Sequence, residues 1–219
     1  MVFELRRKQE VYDFWEPITH AALHTYYRVR YSGIENIPTW GPAFVVPKHQ
    51  SYLDIIFEGI LLKRYCGRYG NWVMRDAIPL PQDLLHNLGG VTIRRPGDAK
   101  KIEDKEERRK FLEKAKEMNK NAMDYVEWLF NEGEIVVAHL EGTRTRGKVG
   151  PLRKELFDFA AEIEKKYDID IPIIPVGIEY ERLWVPFSGI YVRAGKPIKA
   201  DTENIAEVVR KEIARLSNL

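Results

Sequence analysis

A histidine and an aspartate stand five residues apart in Lys48-His49-Gln50-Ser51-Tyr52-Leu53-Asp54, a spacing that can serve a general base and the carboxylate that orients it. The carboxylate would fix the imidazole tautomer and stabilise the imidazolium formed when the ring takes a proton. On one continuous helix five residues turn through about 500°, which leaves the two side chains about 140° apart. A turn between them removes that obstacle, so His49 is expected on a loop and Asp54 in the first turn of a helix. Ser51 and Asp54 equally fit a capping box, in which the aspartate only satisfies backbone donors at the helix start. The spacing by itself leaves both roles open.

A second group, Glu141-Gly142-Thr143-Arg144-Thr145-Arg146, follows the strand-like run Glu134 to Leu140 and turns at Gly142. In parallel α/β sheets ligands collect beyond the carboxyl ends of the strands, so this segment is placed to line a site. Arg144 could fork onto a phosphate, with the Thr143 hydroxyl and loop amides completing the cradle. An ordinary polar turn would use the same residues. Arg94 and Arg95 end the run Gly89 to Ile93 and put more positive charge at the same predicted sheet edge. His20, His24, His86 and His139 read as structural or surface residues. Pro172 and Pro175 flank Ile173-Ile174, and proline within a strand argues for a sheet edge or a bulge.

These groups need a scaffold, and 219 residues with 44% hydrophobic content supply one sizeable core. Strand-like and helical runs alternate, which predicts a single α/β domain with a mostly parallel central sheet flanked by helices. Strands are expected at 43–46, 72–74, 90–93, 134–140 and 171–178. Helices are expected from a Ser51 cap to Lys63, and at 82–87, 99–131 (in one piece or two), 154–166 and 202–216. Residues 1–37 are set apart as an N-terminal amphipathic helical segment that contacts a membrane, and residues 38–219 as the main domain. Val11, Trp15, Ile18, Ala22, Tyr26 and Val29 follow the helical period, with Tyr12, Phe14, Tyr27 and Tyr31 beside them and Arg6-Arg7-Lys8 ahead. Aromatic rings beside basic residues suit a bilayer's headgroup boundary, although a helix docked on the protein's own core shows the same pattern.

The charge balance of 35 basic against 33 acidic residues exerts no pull toward nucleic acid, so none is expected as a partner. The single Cys66 cannot form an internal disulfide. No run reaches the roughly 18 apolar residues of a spanning helix, which points to a cytoplasmic chain that does not cross a bilayer. A phosphate-cradling G-x-x-x-x-G-K-[ST] loop and a cluster with metal-ligand spacing are both missing, which weakens nucleotide-binding and phosphatase readings.

Taken in order, these segments resemble the glycerolipid acyltransferases, particularly 1-acylglycerol-3-phosphate acyltransferases of bacterial type, over residues 38 to 180. His49, Ser51 and Asp54 match the first motif, and Gly89 to Arg95 the second, with Arg95 at the family arginine. Glu141 to Arg144 match a Pro-Glu-Gly-Thr-Arg run, and Ile171 to Gly177 a proline-rich strand. Leu140 stands where that third motif has proline, and Leu152-Arg153-Lys154-Glu155 replaces a Phe-Lys-x-Gly pattern.

The resemblance implies an acyltransferase domain over 38–219 that passes a fatty acyl group from acyl-CoA or acyl carrier protein to 1-acylglycerol 3-phosphate. His49 would be the general base and Asp54 its orienter, with backbone amides near the turn meeting the oxyanion. Arg95, Glu141, Gly142, Thr143 and Arg144 would hold the acceptor phosphate. No metal or cofactor is needed beyond the thioester co-substrate. The implied partners are a phospholipid bilayer surface, the thioester donor and a lysophospholipid acceptor, with the protein peripheral or monotopic on the cytoplasmic face of the cell membrane. Glycerol 3-phosphate or another lyso-lipid is the alternative acceptor, and a non-catalytic lipid-binding homologue the alternative from another class.

Overall fold

The computed structural model describes residues 3–78 and 80–219. Its centre is a seven-stranded sheet of β1 (Arg28–Ser32), β2 (Ala43–Pro47), β3 (Gly70–Arg75), β4 (Gly90–Ile93), β5 (Ile135–Ala138), β6 (Ile173–Tyr180) and β7 (Gly189–Ala194), ordered β1-β7-β6-β2-β5-β3-β4. Five adjacent strands, from β6 to β4, run parallel, β7 runs antiparallel to β6, and β1 runs parallel to β7. Among the described residues the α-helices are α1 (Gln9–Tyr26), α2 (Leu53–Ile60), α3 (Gln82–Asn87), α4 (Lys105–Asn131), α5 (Glu155–Tyr167) and α6 (Ile205–Leu216).

The strands alternate between two apolar layers. Phe44, Val46, Val136 and Ala138 face a cluster built with Val126, Leu129, Phe157 and Val209 from α4, α5 and α6. Ala43, Val45, Ile135 and Val137 face the opposite cluster with Tyr12 of α1 and Phe57 of α2. Both faces of β2 are therefore buried, which is why Ala43-Phe44-Val45-Val46 reads as a continuous apolar run. The β2-to-β3 connection crosses the sheet one way and β5-to-β6 the other, so the strand order reverses between β2 and β5. That is the position at which open α/β sheets form a ligand crevice.

Several boundaries differ from the sequence reading. The first helix ends at Tyr26, and Val29 and Tyr31 belong to β1, where half-buried residues alternate with exposed Arg28, Arg30 and Ser32. A two-residue period there overrides the helical spacing, so the segment 1–37 supplies an edge strand to the sheet as well as a helix. The helix expected to reach Lys63 keeps α-geometry to Ile60 and widens into π-type turns over Leu61–Tyr65. The long charged region is in two pieces, a 3₁₀ segment at Pro96–Lys101 and α4, whose N-cap Asp104 accepts from the Glu107 amide at 2.7 Å.

β6 is an interior strand despite Pro175. Its missing N–H faces the side where the chain bulges between Gly195 and Ile198, while the Pro175 carbonyl still accepts from Gly195 at 2.8 Å. The proline therefore removes no bond to β2. Gly177, on the same strand, lies directly beneath α6. A Cβ there would sit 2.4 Å from the Leu216 carbonyl carbon. Gly177→Ala is expected to cost about 2–3 kcal/mol by forcing α6 off the sheet, read as a lower urea midpoint with an unchanged slope.

Candidate active site

The residues singled out in the sequence meet at the carboxyl ends of β2, β3, β4 and β5. β2 ends at Pro47, and the chain turns through Lys48-His49-Gln50-Ser51 into α2. The turn brings His49 Nδ1 to 3.1 Å from Asp54 Oδ2. The same oxygen accepts the Gln50 and Ser51 amides at 2.6 and 2.7 Å, so Asp54 caps the helix and orients the imidazole at once. Its other oxygen takes the Tyr180 hydroxyl from the end of β6. Burial and the adjacent Asp54 charge hold that phenol protonated, well above its ordinary range. Asp54 is fully buried, while His49 keeps 17% of its side chain exposed, enough for Nε2 to meet a substrate.

The turn is held from behind by a buried ion pair. Lys48 Nζ donates to both Glu141 carboxylate oxygens at 2.8 and 3.0 Å and to the Thr145 carbonyl at 2.8 Å. Glu141 in turn accepts the His49 amide at 3.1 Å and the Gly150 amide at 2.8 Å, and the Thr145 amide reaches the His49 carbonyl at 3.0 Å. Glu141, expected among the residues holding the acceptor, therefore has its carboxylate turned inward with 1% of its side chain exposed. It ties the loop after β5 to the loop after β2. The His49, Gln50 and Ser51 amides are all bonded to the Glu141 and Asp54 carboxylates.

The turn expected at Gly142 is made with a left-handed backbone, φ of 68°. Arg95 crosses from the end of β4 to donate to the Gly142 carbonyl, and the guanidinium of Arg153 packs where a Gly142 side chain would be. Burial first, then the charges of Arg153 and Arg75, push Arg95 below its ordinary value, with Asp98 opposing them. Arg75, Arg95 and Arg153 thus make a cationic cluster beside the turn. Arg75 spends Nη2 on Asp98 at 2.6 Å and keeps a buried, unpartnered Nε. Arg94 points elsewhere, its Nε bonded to Asp76 at 2.6 Å. Thr143 and Arg144 are exposed on the rim, the Arg144 guanidinium lying 3.8 Å over the Tyr52 ring.

On its other side α2 borders an apolar cavity of about 570 Å³ between α1, α3 and β3, lined by Tyr12, Trp15, Ile56, Trp72, Met74 and Leu84 among others. His49 is thus tied through Asp54 to α2, which borders the cavity, and through Glu141 to the loop beside the arginine cluster.

Sequence reasoning did not bring His139, Glu58 or Lys48 into the site. His139, read from the sequence as structural, follows β5 directly and stacks on His49 with ring centroids 4.1 Å apart. Its Nε2 lies 2.9 Å from Glu58, which sits one turn beyond Asp54 on α2. Two acids at i and i+4 on the apolar Leu53-Asp54-Ile55-Ile56-Phe57-Glu58 helix were the available signal. Lys48 was legible only as a charge directly after a fully apolar strand. His49, Asp54 and His139 each bring one potential ligand atom within 4.8 Å of one another, with Asp54 bonded to N–H and O–H donors and His139 Nε2 to Glu58.

The Acyltransferase family profile matches residues 28–179, and the chain belongs to that family. Mitochondrial glycerol-3-phosphate acyltransferase 1 of Mus musculus and of Homo sapiens are each 30% identical to it over 183 residues. Those alignments cover 80% of this chain and 20% of each relative, so the chain spans about a fifth of their length. The crystal structure of the 1-acyl-sn-glycerophosphate acyltransferase PlsC from Thermotoga maritima shares the fold, with a TM-score of 0.54 at 20% identity over 94% of this chain and 76% of that one.

The brace has a measurable consequence. Lys48→Met leaves the Glu141 carboxylate buried without its cation and is expected to cost about 3–5 kcal/mol in chemical denaturation. Lys48→Met/Glu141→Leu should recover much of that stability while losing the anchor on the His49 amide.

Proposed function

We propose that the chain transfers a fatty acyl group from a thioester, acyl-CoA or acyl carrier protein, to the hydroxyl of 1-acylglycerol 3-phosphate at a bilayer surface. The observation that carries this reading is the oriented His49–Asp54 pair, whose helix α2 borders an apolar cavity and whose turn is tied through Glu141 to the loop beside the Arg75–Arg95–Arg153 cluster. His49 Nε2 takes the hydroxyl proton as the oxygen attacks the thioester carbonyl, and Asp54 stabilises the resulting imidazolium. The carbon–oxygen bond forms, the carbon–sulfur bond breaks, and the departing thiolate takes the proton back from His49. The arginines bind the acceptor phosphate, with Thr143 and Arg144 at the entrance, and the cavity takes an acyl chain at about 0.8 kcal/mol per buried CH₂. Neither a metal nor an organic cofactor has a role in this scheme.

A covalent intermediate on Cys66 is disfavoured, because burial pushes that thiol up to about 11 and leaves it protonated at neutral pH. Acyl-enzyme trapping is expected to fail.

Glycerol 3-phosphate is the second acceptor, favoured by the names of the 30% identical relatives. The two readings separate in one assay, transfer from labelled palmitoyl thioester with both acceptors present at equal concentration. Predominant phosphatidic acid supports the first, predominant lysophosphatidic acid the second, and absence of both products removes the acyl-transfer reading for these acceptors. Arg95→Ala/Arg153→Ala should raise the acceptor KM by ten-fold or more, since hydrogen bonds between charged groups contribute about 1.5–3 kcal/mol each.

Contact with the cytoplasmic leaflet as a peripheral protein is supported by the outer face of α1. Phe14, Trp15 and Ile18 are 60%, 46% and 48% exposed along one stripe, and Trp15 also lines the cavity. Beyond Tyr26 the apolar surface continues onto the β6–β7 loop, where Trp184 and Phe187 are exposed. Both have positive φ, a costly backbone conformation for bulky residues. Among the described residues no helix is long and apolar enough to cross a membrane. Trp15→Glu/Ile18→Lys is expected to weaken partitioning onto anionic vesicles by at least ten-fold, and unchanged partitioning would remove the helix from the membrane contact.

A further inference from the structure

Beneath the His49–Asp54 pair lies a second acid and imidazole that the proposed transfer leaves without a role. Glu58 is 1% exposed, and its two oxygens are divided between Trp72 Nε1 at 2.9 Å and His139 Nε2 at 2.9 Å. A buried carboxylate is tolerable only with a compensating partner, and the Trp72 N–H is neutral, so the compensating charge falls to His139. The His139 ring lies against the His49 ring, centroids 4.1 Å apart and planes 32° apart. Glu58 therefore holds one imidazole by its edge, and that imidazole supports the other by its face.

We propose that Glu58 and His139 are a positioning pair for the base: the His139 ring seats His49 from beneath and sets a fixed positive charge against its face. The proposal rests on His49 being the base. Its consequence is a His49 that stays neutral between turnovers and, once protonated by the acceptor hydroxyl, gives that proton readily to the departing thiolate. Two unit charges about 4 Å apart interact by roughly one pH unit even with water-like screening.

The electrostatic surroundings act in the required directions. Burial is the largest influence on both rings and pushes both down. For His139 the field and hydrogen bond of Glu58, with Asp54 and Glu141 behind them, outweigh burial and leave the ring above its ordinary 6.5. For His49 the bond to Asp54 does not offset burial joined by the His139 charge, and the ring ends below 6.5. The facing groups are Asp54 and Glu58 on α2, Lys48 and His49 in the turn before it, Glu141 beyond β5 and Tyr180 at the end of β6, which meets the pair through Asp54.

The test is the side-chain imidazole titration by ¹H–¹⁵N NMR, in the native protein and in His139→Phe/Glu58→Gln. The phenyl ring keeps the stack, and the amide oxygen keeps an acceptor for Trp72. In the native protein His139 is expected to titrate above His49. In the variant the His49 midpoint should rise, by less than about one pH unit, because loss of the Glu58 charge partly offsets loss of the His139 charge. A His49 midpoint that stays or falls, or a native His139 that titrates below His49, overturns the proposal.

His139→Gln, which keeps an N–H for Glu58 and removes the charge, should also raise the His49 midpoint and serves if the double variant does not fold. The acid limb of kcat/KM should move up with the midpoint, whereas loss of a merely structural contact would lower activity at every pH without moving the limb. If the imidazole midpoints shift and the limb does not follow, the pair is real and His49 is not the base.

Discussion

The site depends on the buried pair of Lys48 and Glu141. His49 stands on a turn after β2 and Gly142 on a loop after β5, and nothing in the covalent chain fixes one against the other. Glu141 joins them by taking the Lys48 ammonium and the His49 amide on one carboxylate. Replacing such a pair by apolar residues often leaves stability intact, whereas removing one member is costly. The pair is therefore better understood as holding register between two loops than as contributing to stability. The glutamate of the Glu-Gly-Thr-Arg run reaches the histidine through its backbone amide.

The same economy applies to Asp54. Its capping and orienting roles looked like rival explanations of one spacing, yet Oδ2 performs both, because the turn that caps α2 also swings His49 back over the carboxylate. α2 then divides its faces, with Asp54 and Glu58 toward the chemistry and Ile55, Ile56 and Gly59 toward the apolar cavity. One short helix thus separates the charged and oily halves of the site, and the lipid acceptor proposed for it would use both.

How much of this was legible follows from the range of the interactions. The parallel strands β2 to β6 and the His49–Asp54 turn could be read because their signals are local: apolar runs, a cap and a spacing. β1 was misread because Val29 and Tyr31 also continue the helical period of α1, and only pairing with β7 decides between the two. The Lys48–Glu141 and Glu58–His139 pairs join residues 93 and 81 positions apart, beyond any local pattern. Arg153 was noticed as a departure from the family pattern, and its place beside Arg95 emerged only once the loop after β5 folded onto β4. Arg94 shows the converse, since adjacency to Arg95 in sequence put it on the opposite side of the chain, bonded to Asp76.

The central claim is that His49 takes the acceptor's proton in a direct transfer, and single-turnover acyl transfer at saturating donor and acceptor tests it most directly. With His49→Ala, the account predicts a rate constant at least a hundred-fold lower than that of the native protein, with the melting curve retained, as loss of a general base requires. Equal single-turnover rates in the two proteins would contradict it.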